Sequence, residues 1–226
     1  MKYLWYKKTP DLLERLKSDV KSIYPNLHFY IENDLVRIKG TFPILHNGKV
    51  LDRYSVEILL LHDYPDSIPI VREIGGRIPR TADYHINEGG DACLFLPDER
   101  WEVFPPGTSF VDFLKGPVHN FFLGQALVQN GQTWPFGQHG HGANGIRDYY
   151  SKLLGTEDPI TILKYLGYLS KPCLKGHWDC PCGSGMRLRN CHLNMLNDLR
   201  IKIPPQIAYN SWDKLSKTLL HQLQKR

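Results

Sequence analysis

The sequence predicts an α+β protein carrying a small metal-binding module. Three observations lead there. One amphipathic stretch opens the chain, four runs of strand-like residues follow it with no helix between them, and a Cys/His cluster stands far downstream. Strands in a block followed by helices argue for segregated α and β layers rather than a parallel doubly wound sheet.

Thr9-Pro10-Asp11 has the form of a helix start, with a hydroxyl cap, a proline in the first turn and an acid at the positive end of the dipole. Leu12, Leu13, Leu16, Val20 and Ile23 then mark one apolar face, and Pro25 ends the helix before it. Strands are predicted at Leu27 to Ile31, Leu35 to Leu45, Val50 to Leu61 and Ile70 to Ile74. Asn47-Gly48 joins the second and third as a hairpin. Ser55 and Glu57 alternate with Val56, Ile58 and Leu60, as in a sheet with one wet face. From Thr108 to Gln129 the pattern is helical, with Phe110, Phe113, Leu114, Phe121 and Leu127 facing a core and Pro117 as a break or kink. A glycine-rich loop over 131–145 follows. It has no Gly-Lys-Ser/Thr element and so does not read as a phosphate loop, and its His139 and His141 are either ordinary loop residues or part of an active-site rim. Another helix is predicted from Pro159 to Leu169 with Thr156 as its cap, and a last one from Ser211 with Trp212, Leu215, Leu219 and Leu223 on one stripe.

Composition narrows the function classes. Lys and Arg number 28 against 23 Asp and Glu, so the net charge of +5 is too mild to argue for nucleic acid. No apolar run approaches the ~20 residues that span a bilayer, and the opening residues MKYLWYKKTP lack the apolar core of a signal peptide. Five cysteines, three of them in one metal-like cluster, suit a reducing compartment, and a cytoplasmic location is expected.

The segment HINEGGDACLFLPDERW, from His85 to Trp101, is the candidate active site. Cys93 follows a Gly-Gly turn and stands apart from the other cysteines, which begin at Cys173. A nucleophilic thiol must be reachable, and Gly89 and Gly90 keep bulk away from it. Asn87 offers an amide donor for an oxyanion at a thioester carbonyl. On spacing alone a second reading stays open, in which Cys93 is a small buried hydrophobe beside Leu94, Phe95 and Leu96, and His85 and Asn87 are turn residues.

Residues 180–192 read CPCGSGMRLRNCH. Cys180, Cys182, Cys191 and His192 supply three thiolates and an imidazole, a closed tetrahedral set suited to a structural Zn²⁺. Coincidental clustering and redox-active thiols are the alternatives, and Cys173 is a spare thiol able to replace His192 as fourth ligand. So short a module is expected to draw most of its folding energy from the metal. Cys-Pro-Cys-Gly-Ser-Gly followed by Asn-Cys-His resembles the SEC-C motif. That resemblance implies a partner-binding zinc appendage and does not name the activity of the chain that bears it.

The first part of the chain resembles the ubiquitin-conjugating enzyme (UBC) fold. The resemblance rests on an ordered set of pieces: the opening helix, the four-strand meander, Tyr64-Pro65 with Pro69, His85-Ile86-Asn87, Gly90 to Cys93-Leu94, and Trp101 followed by Pro105. The WPFGQHGHGANG loop is similar to loops of bacterial members that work in antiphage or other operon-encoded ubiquitin-like pathways. The resemblance implies a transferase in which Cys93 accepts the C-terminus of a ubiquitin-like protein as a thioester from a separate activating enzyme. The modifier then passes to an amine of a protein target. Asn87 matches the asparagine of the His-Pro-Asn motif, which supports the oxyanion or the active-site loop, and His85 matches the motif histidine. Ile86 replaces the usual proline, and the span from Asn87 to Cys93 is shorter than usual. His141 has no counterpart in that motif; it, or Asp91, is assigned here the removal of the lysine proton.

The expected organisation is a UBC-like domain over 1–150, a helical linker over 151–172, the zinc module over 173–195 and an amphipathic helix or tail over 196–226. Three other functions compete: an adaptor binding a ubiquitin-like protein through the first domain and a partner through the zinc module, a thiol hydrolase pairing Cys93 with His85 or His141, and a nucleic-acid binder built on the zinc. The last is disfavoured because the cluster lacks a recognition helix at finger spacing. No membrane partner is expected.

Overall fold

The computed structural model describes residues 4–136 and 142–224. It is a mixed α+β structure with a four-stranded antiparallel sheet and flanking helices. The chain forms two compact units, one of residues 4–95 and 103–136, the other of residues 96–102 and 142–224. Among the described residues, no helix is long and apolar enough to cross a membrane.

In the first unit a short helix α1 (Trp5–Lys8) leads into α2 (Pro10–Ile23). Pro10 opens α2 and Asp11 sits in its first turn, as expected, but Thr9 is not a side-chain cap. Its hydroxyl donates instead to the Trp5 carbonyl at 2.8 Å. Leu13, Leu16 and Val20 are buried at helical spacing, while Ile23 at the end of the stripe is 41% exposed.

The sheet is a simple meander of β1 (Leu27–Glu32), β2 (Leu35–His46), β3 (Lys49–Leu60) and β4 (Ile70–Glu73), each strand antiparallel to the next. Asn47 and Gly48 both adopt positive φ, 50° and 74°, at the β2–β3 turn, the geometry a two-residue hairpin needs. Period-two alternation sends Val36, Ile38, Phe42, Ile44, Tyr54, Val56, Ile58 and Leu60 inward, where each is fully buried. Arg37, Lys39, Glu57 and Arg72 meet on the opposite face in a lattice of ion pairs. At Gly40 the backbone of β2 approaches β1 so closely that a Cβ would lie 1.8 Å from the Asn26 carbonyl oxygen. Only glycine fits there.

A short helix α3 (Arg100–Val103) comes before the helical segment that covers the inner face. That segment begins as α4 (Phe110–Phe113), capped by the Ser109 hydroxyl, passes through a π-turn at Leu114–Val118 and continues as α5 (His119–Gln129). Pro117 does not break it. The wider turn absorbs the missing N–H and the ring. Phe113, Leu114, Val118 and Phe122 are fully buried, and Phe122 packs on Tyr54 and Phe42 with centroids 4.9 and 6.0 Å apart.

The second unit contains α6 (Ala143–Leu154), α7 (Pro159–Leu169), α8 (Leu193–Lys202) and α9 (Pro205–Gln224). Asp158, not Thr156, caps α7; its oxygens accept from the Ile160 and Thr161 amides. The α7 residues Ile162, Leu166 and Leu169 share a core with Ile146, Tyr150, Leu196, Ile203, Ala208 and Leu215. The C-terminal helix begins at Pro205, ahead of the expected Ser211. Leu215 is buried and Trp212 and Leu219 are partly buried, but Leu223 is 64% exposed.

Segment 96–102 is tied into this unit by a buried polar cluster. Tyr150 donates to Asp98 Oδ1 at 2.5 Å, and the Ser211 hydroxyl lies 3.0 and 2.8 Å from the two Asp98 oxygens. Trp101 Nε1 donates to the Tyr149 hydroxyl at 2.9 Å, and Lys202 Nζ sits 4.2 Å from the centre of the Trp101 ring.

Candidate functional site

Cys93 stands on a small hairpin stitched to the edge of the sheet. Ile86 and Ala92 pair across it, the Asn87 amide donates to the Asp91 carbonyl at 2.9 Å, and the Cys93 amide donates to the His85 carbonyl at 2.8 Å. The Ala92 amide reaches the Val71 carbonyl of β4 at 2.7 Å. Ile86 and Ala92 are buried, 5% and 8% exposed, so strand alternation turns Asn87, Asp91 and Cys93 to the other side. Cys93 is partly exposed and outside any disulfide, neither sealed in the core nor fully in solvent.

His85, Asn87 and Cys93 are therefore brought together on one nine-residue loop. Asn87 is exposed, and its Nδ2 donates to Asp91 Oδ2 at 2.8 Å, a clamp across the hairpin that uses one of its two N–H groups. His85 has φ 53°, in the left-handed region, and its ring stacks on Trp134. His141 and His139 lie outside the described residues.

Two groups that hold this loop escaped the sequence reading. Gln125 on α5 donates to the Tyr84 carbonyl at 2.6 Å, and Trp134 covers His85. Neither has a local signature. Gln125 is only 1% exposed in a helix face otherwise lined by apolar residues, and the aromatic at 134 lies in a glycine-rich stretch that reads as loop.

The second candidate is the Cys/His cluster. The ligand atoms of Cys180, Cys182, Cys191 and His192 all lie within 4.8 Å of one another, and the four could hold a metal ion. His192 Nδ1 is 3.1 Å from both Cys180 Sγ and Cys191 Sγ, and Cys182 Sγ is 3.6 Å from Cys191 Sγ. An ion bonded at about 2.3 Å to sulfur and about 2.0 Å to nitrogen holds its ligand atoms about 3.5–3.8 Å apart in a tetrahedron. The sulfur–sulfur spacing falls in that range and the two nitrogen–sulfur spacings are about 0.4 Å shorter, so a small outward shift of the His192 ring would seat such an ion. Cys173 is exposed and is not a member of it, so His192 keeps the fourth place.

The local sequence explains how the four converge. Gly183 and Gly185 take φ of 80° and 73°, turning the chain between the first two cysteines and the returning strand. Asp179 and Arg187 pair across the knuckle, and the Cys180 amide donates to the Met186 carbonyl at 2.9 Å. A 3-10 turn at Leu188–Asn190 then delivers Cys191, and His192 leads into α8. The Ser184 hydroxyl pulls the Cys182 thiol down to about 6, while burial pushes the Cys180 thiol up to about 11. Three sulfurs this close ionise together only around a cation. The knuckle also has more core than expected. Cys180 is 6% exposed, and Leu188 is fully buried in the same cluster as Tyr165 and Leu166.

No protein-family model matches the chain, and neither does any curated protein.

Proposed function

We propose that this protein is a ubiquitin-conjugating-enzyme-like transferase that carries a ubiquitin-like modifier as a thioester on Cys93 and passes it to an amine of a target protein. The observation that carries this reading is the loop 85–93. A helix and a four-strand antiparallel meander precede it, it pairs with the last strand, and it presents a partly exposed thiol beside Asn87 and His85. That order of parts agrees with the UBC-like resemblance of the sequence.

In this reading the Cys93 thiolate attacks the thioester carbonyl on a separate activating enzyme. A new C–S bond forms and the enzyme's own thiolate leaves, an exchange between sulfurs with little change in free energy. The amine of a target lysine then attacks the same carbonyl, the bond to Cys93 breaks, an amide forms, and the proton lost by the amine ends on the Cys93 sulfur or in solvent. The chain must place the amine and support the oxyanion; a strong base is not required. The second N–H of Asn87 is the donor for that oxyanion, with Asp91 orienting its amide from the far side of the hairpin. The cluster at Cys180, Cys182, Cys191 and His192 holds Zn²⁺ as a structural ion, because all four places are taken by protein ligands. Three cysteines grouped with a histidine as metal ligands fit a reducing, cytoplasmic location.

The test is incubation with the cognate activating enzyme, ATP and the ubiquitin-like protein, read on a non-reducing gel. A thiol-sensitive adduct that disappears in Cys93→Ala supports the transferase. The adaptor reading draws on the engaged Asn87 amide, which suits a loop built for shape; binding without any adduct would favour it.

A further inference from the structure

We propose that a cleft at the edge of the sheet is a docking site for an acidic side chain of a partner protein. The cleft holds about 320 Å³, and its walls include Glu57, Arg72, Glu73, Arg80, Gly89 and Gly90. Its two carboxylates are already engaged. Glu57 meets Arg37 at 2.7 Å and Lys39 at 3.6 Å. Glu73 turns its oxygens to the backbone amides of Gly75 and Arg77, at 2.7 and 3.0 Å.

The guanidinium groups are less well matched. Arg72 reaches Glu57 only at 3.8 Å, and its Nε is buried with no hydrogen-bond partner. Arg80 is exposed and has no ion pair or hydrogen bond among the described residues. It lies over the Gly89–Gly90 turn, where a Cβ on Gly90 would stand 3.8 Å from its Nη1. A guanidinium presents paired N–H groups that match the two oxygens of a carboxylate.

Charge selects the occupant. On the outer face of the sheet, Arg37, Lys39 and Arg72 oppose Glu32 and Glu57. Within the cleft Arg80 offsets Glu73. The charged groups of the wall therefore balance, Arg72 and Arg80 against Glu57 and Glu73. Both carboxylates already have donors, while Arg80 has no acceptor among the described residues. One open guanidinium suits a singly charged carboxylate better than a phosphate group of about −1.5 to −2. This site does not depend on the chemistry proposed for Cys93, and its test reads binding alone.

The experiment titrates the full ¹⁵N-labelled chain with the peptide acetyl-Gly-Glu-Gly-amide at constant ionic strength. The Gly89 and Gly90 amide signals and the Arg80 Nε–H signal should move saturably, and the glutamine analogue of the peptide should leave them in place. Arg80→Gln has no ion pair or hydrogen bond to lose among the described residues, so the fold should persist while affinity falls about three- to fivefold, as for an exposed ion pair. Inorganic phosphate should bind more weakly than the peptide. Absence of saturable shifts, an equal response to the glutamine peptide, tighter binding of phosphate, or unchanged affinity in Arg80→Gln would each overturn the proposal.

Discussion

The imidazole of His85 lies flat on the indole of Trp134, with ring centroids 4.1 Å apart and planes 21° from parallel. The same indole presses on α5, where a Cβ at Gly124 would fall 2.5 Å from the ring. Gly124→Ala should therefore destabilise the first unit by about 1–3 kcal/mol through overpacking, although the same change in an open helix gains about 1 kcal/mol. Gly167 in α7 is the contrast. A Cβ there meets Trp212 at an ordinary 3.6 Å, and Gly167→Ala should stabilise by about 0.5–1 kcal/mol. Urea unfolding of the two variants reads the opposite signs directly.

Burial holds the Asp98 carboxyl above its ordinary value even though Tyr150 and Ser211 donate to it. The folded state then binds a proton that the unfolded chain releases near pH 3.8. The stability this confers is complete below that pH and is lost as pH rises through the higher folded value. Asp98→Asn removes this term. In denaturant unfolding from pH 3.5 upward, the wild type should lose ground steadily against Asp98→Asn and then run parallel to it. A constant difference across the range would contradict the assignment.

The Cys/His cluster, read as a zinc site, makes a separate prediction. The purified chain should hold one Zn²⁺ per molecule by elemental analysis, and Cys182→Ser or Cys191→Ser should lose it. Because Cys180 and Leu188 share a core with α7 and α8, chelation should lower the unfolding temperature while leaving most of the helical circular dichroism in place. Loss of nearly all helix signal on chelation would mean that the ion, not the helical core, organises the second unit.

Local patterns made the sheet legible in the sequence. Alternation in β2 and β3, with Asn47-Gly48 between them, states both register and turn, and the residues it turned inward are buried. The Cys/His cluster was legible for a similar reason, since its four side chains fall within thirteen residues and glycines turn the chain between them. The helix α6 was hidden because Gly142 and Gly145 extend the look of the preceding glycine-rich loop, although Ile146, Tyr149 and Tyr150 form a buried stripe. The role of Asp98 had no local sign at all. Its partners lie 52 and 113 residues away, and such pairings follow from tertiary packing rather than spacing.

The clamp between Asn87 and Asp91 separates two roles for Asn87. If its second N–H supports the oxyanion, Asn87→Ala should slow amine transfer from preloaded protein by about 100-fold while loading of Cys93 continues. Single-turnover discharge to free lysine measures this. Equal loss of loading and discharge would show that Asn87 serves only to shape the hairpin.

The thiol of Cys93 is the centre of the account, and intact-mass spectrometry of Cys93→Ser tests it most directly. After incubation with the activating enzyme, ATP and the modifier, the serine variant should gain one modifier mass in an oxyester that survives thiol reductant but not hydroxide. The wild-type adduct should be lost to reductant, and Cys93→Ala should gain nothing. An adduct of the same mass on Cys93→Ala, or none on the wild type under conditions that charge the activating enzyme, would contradict the proposal.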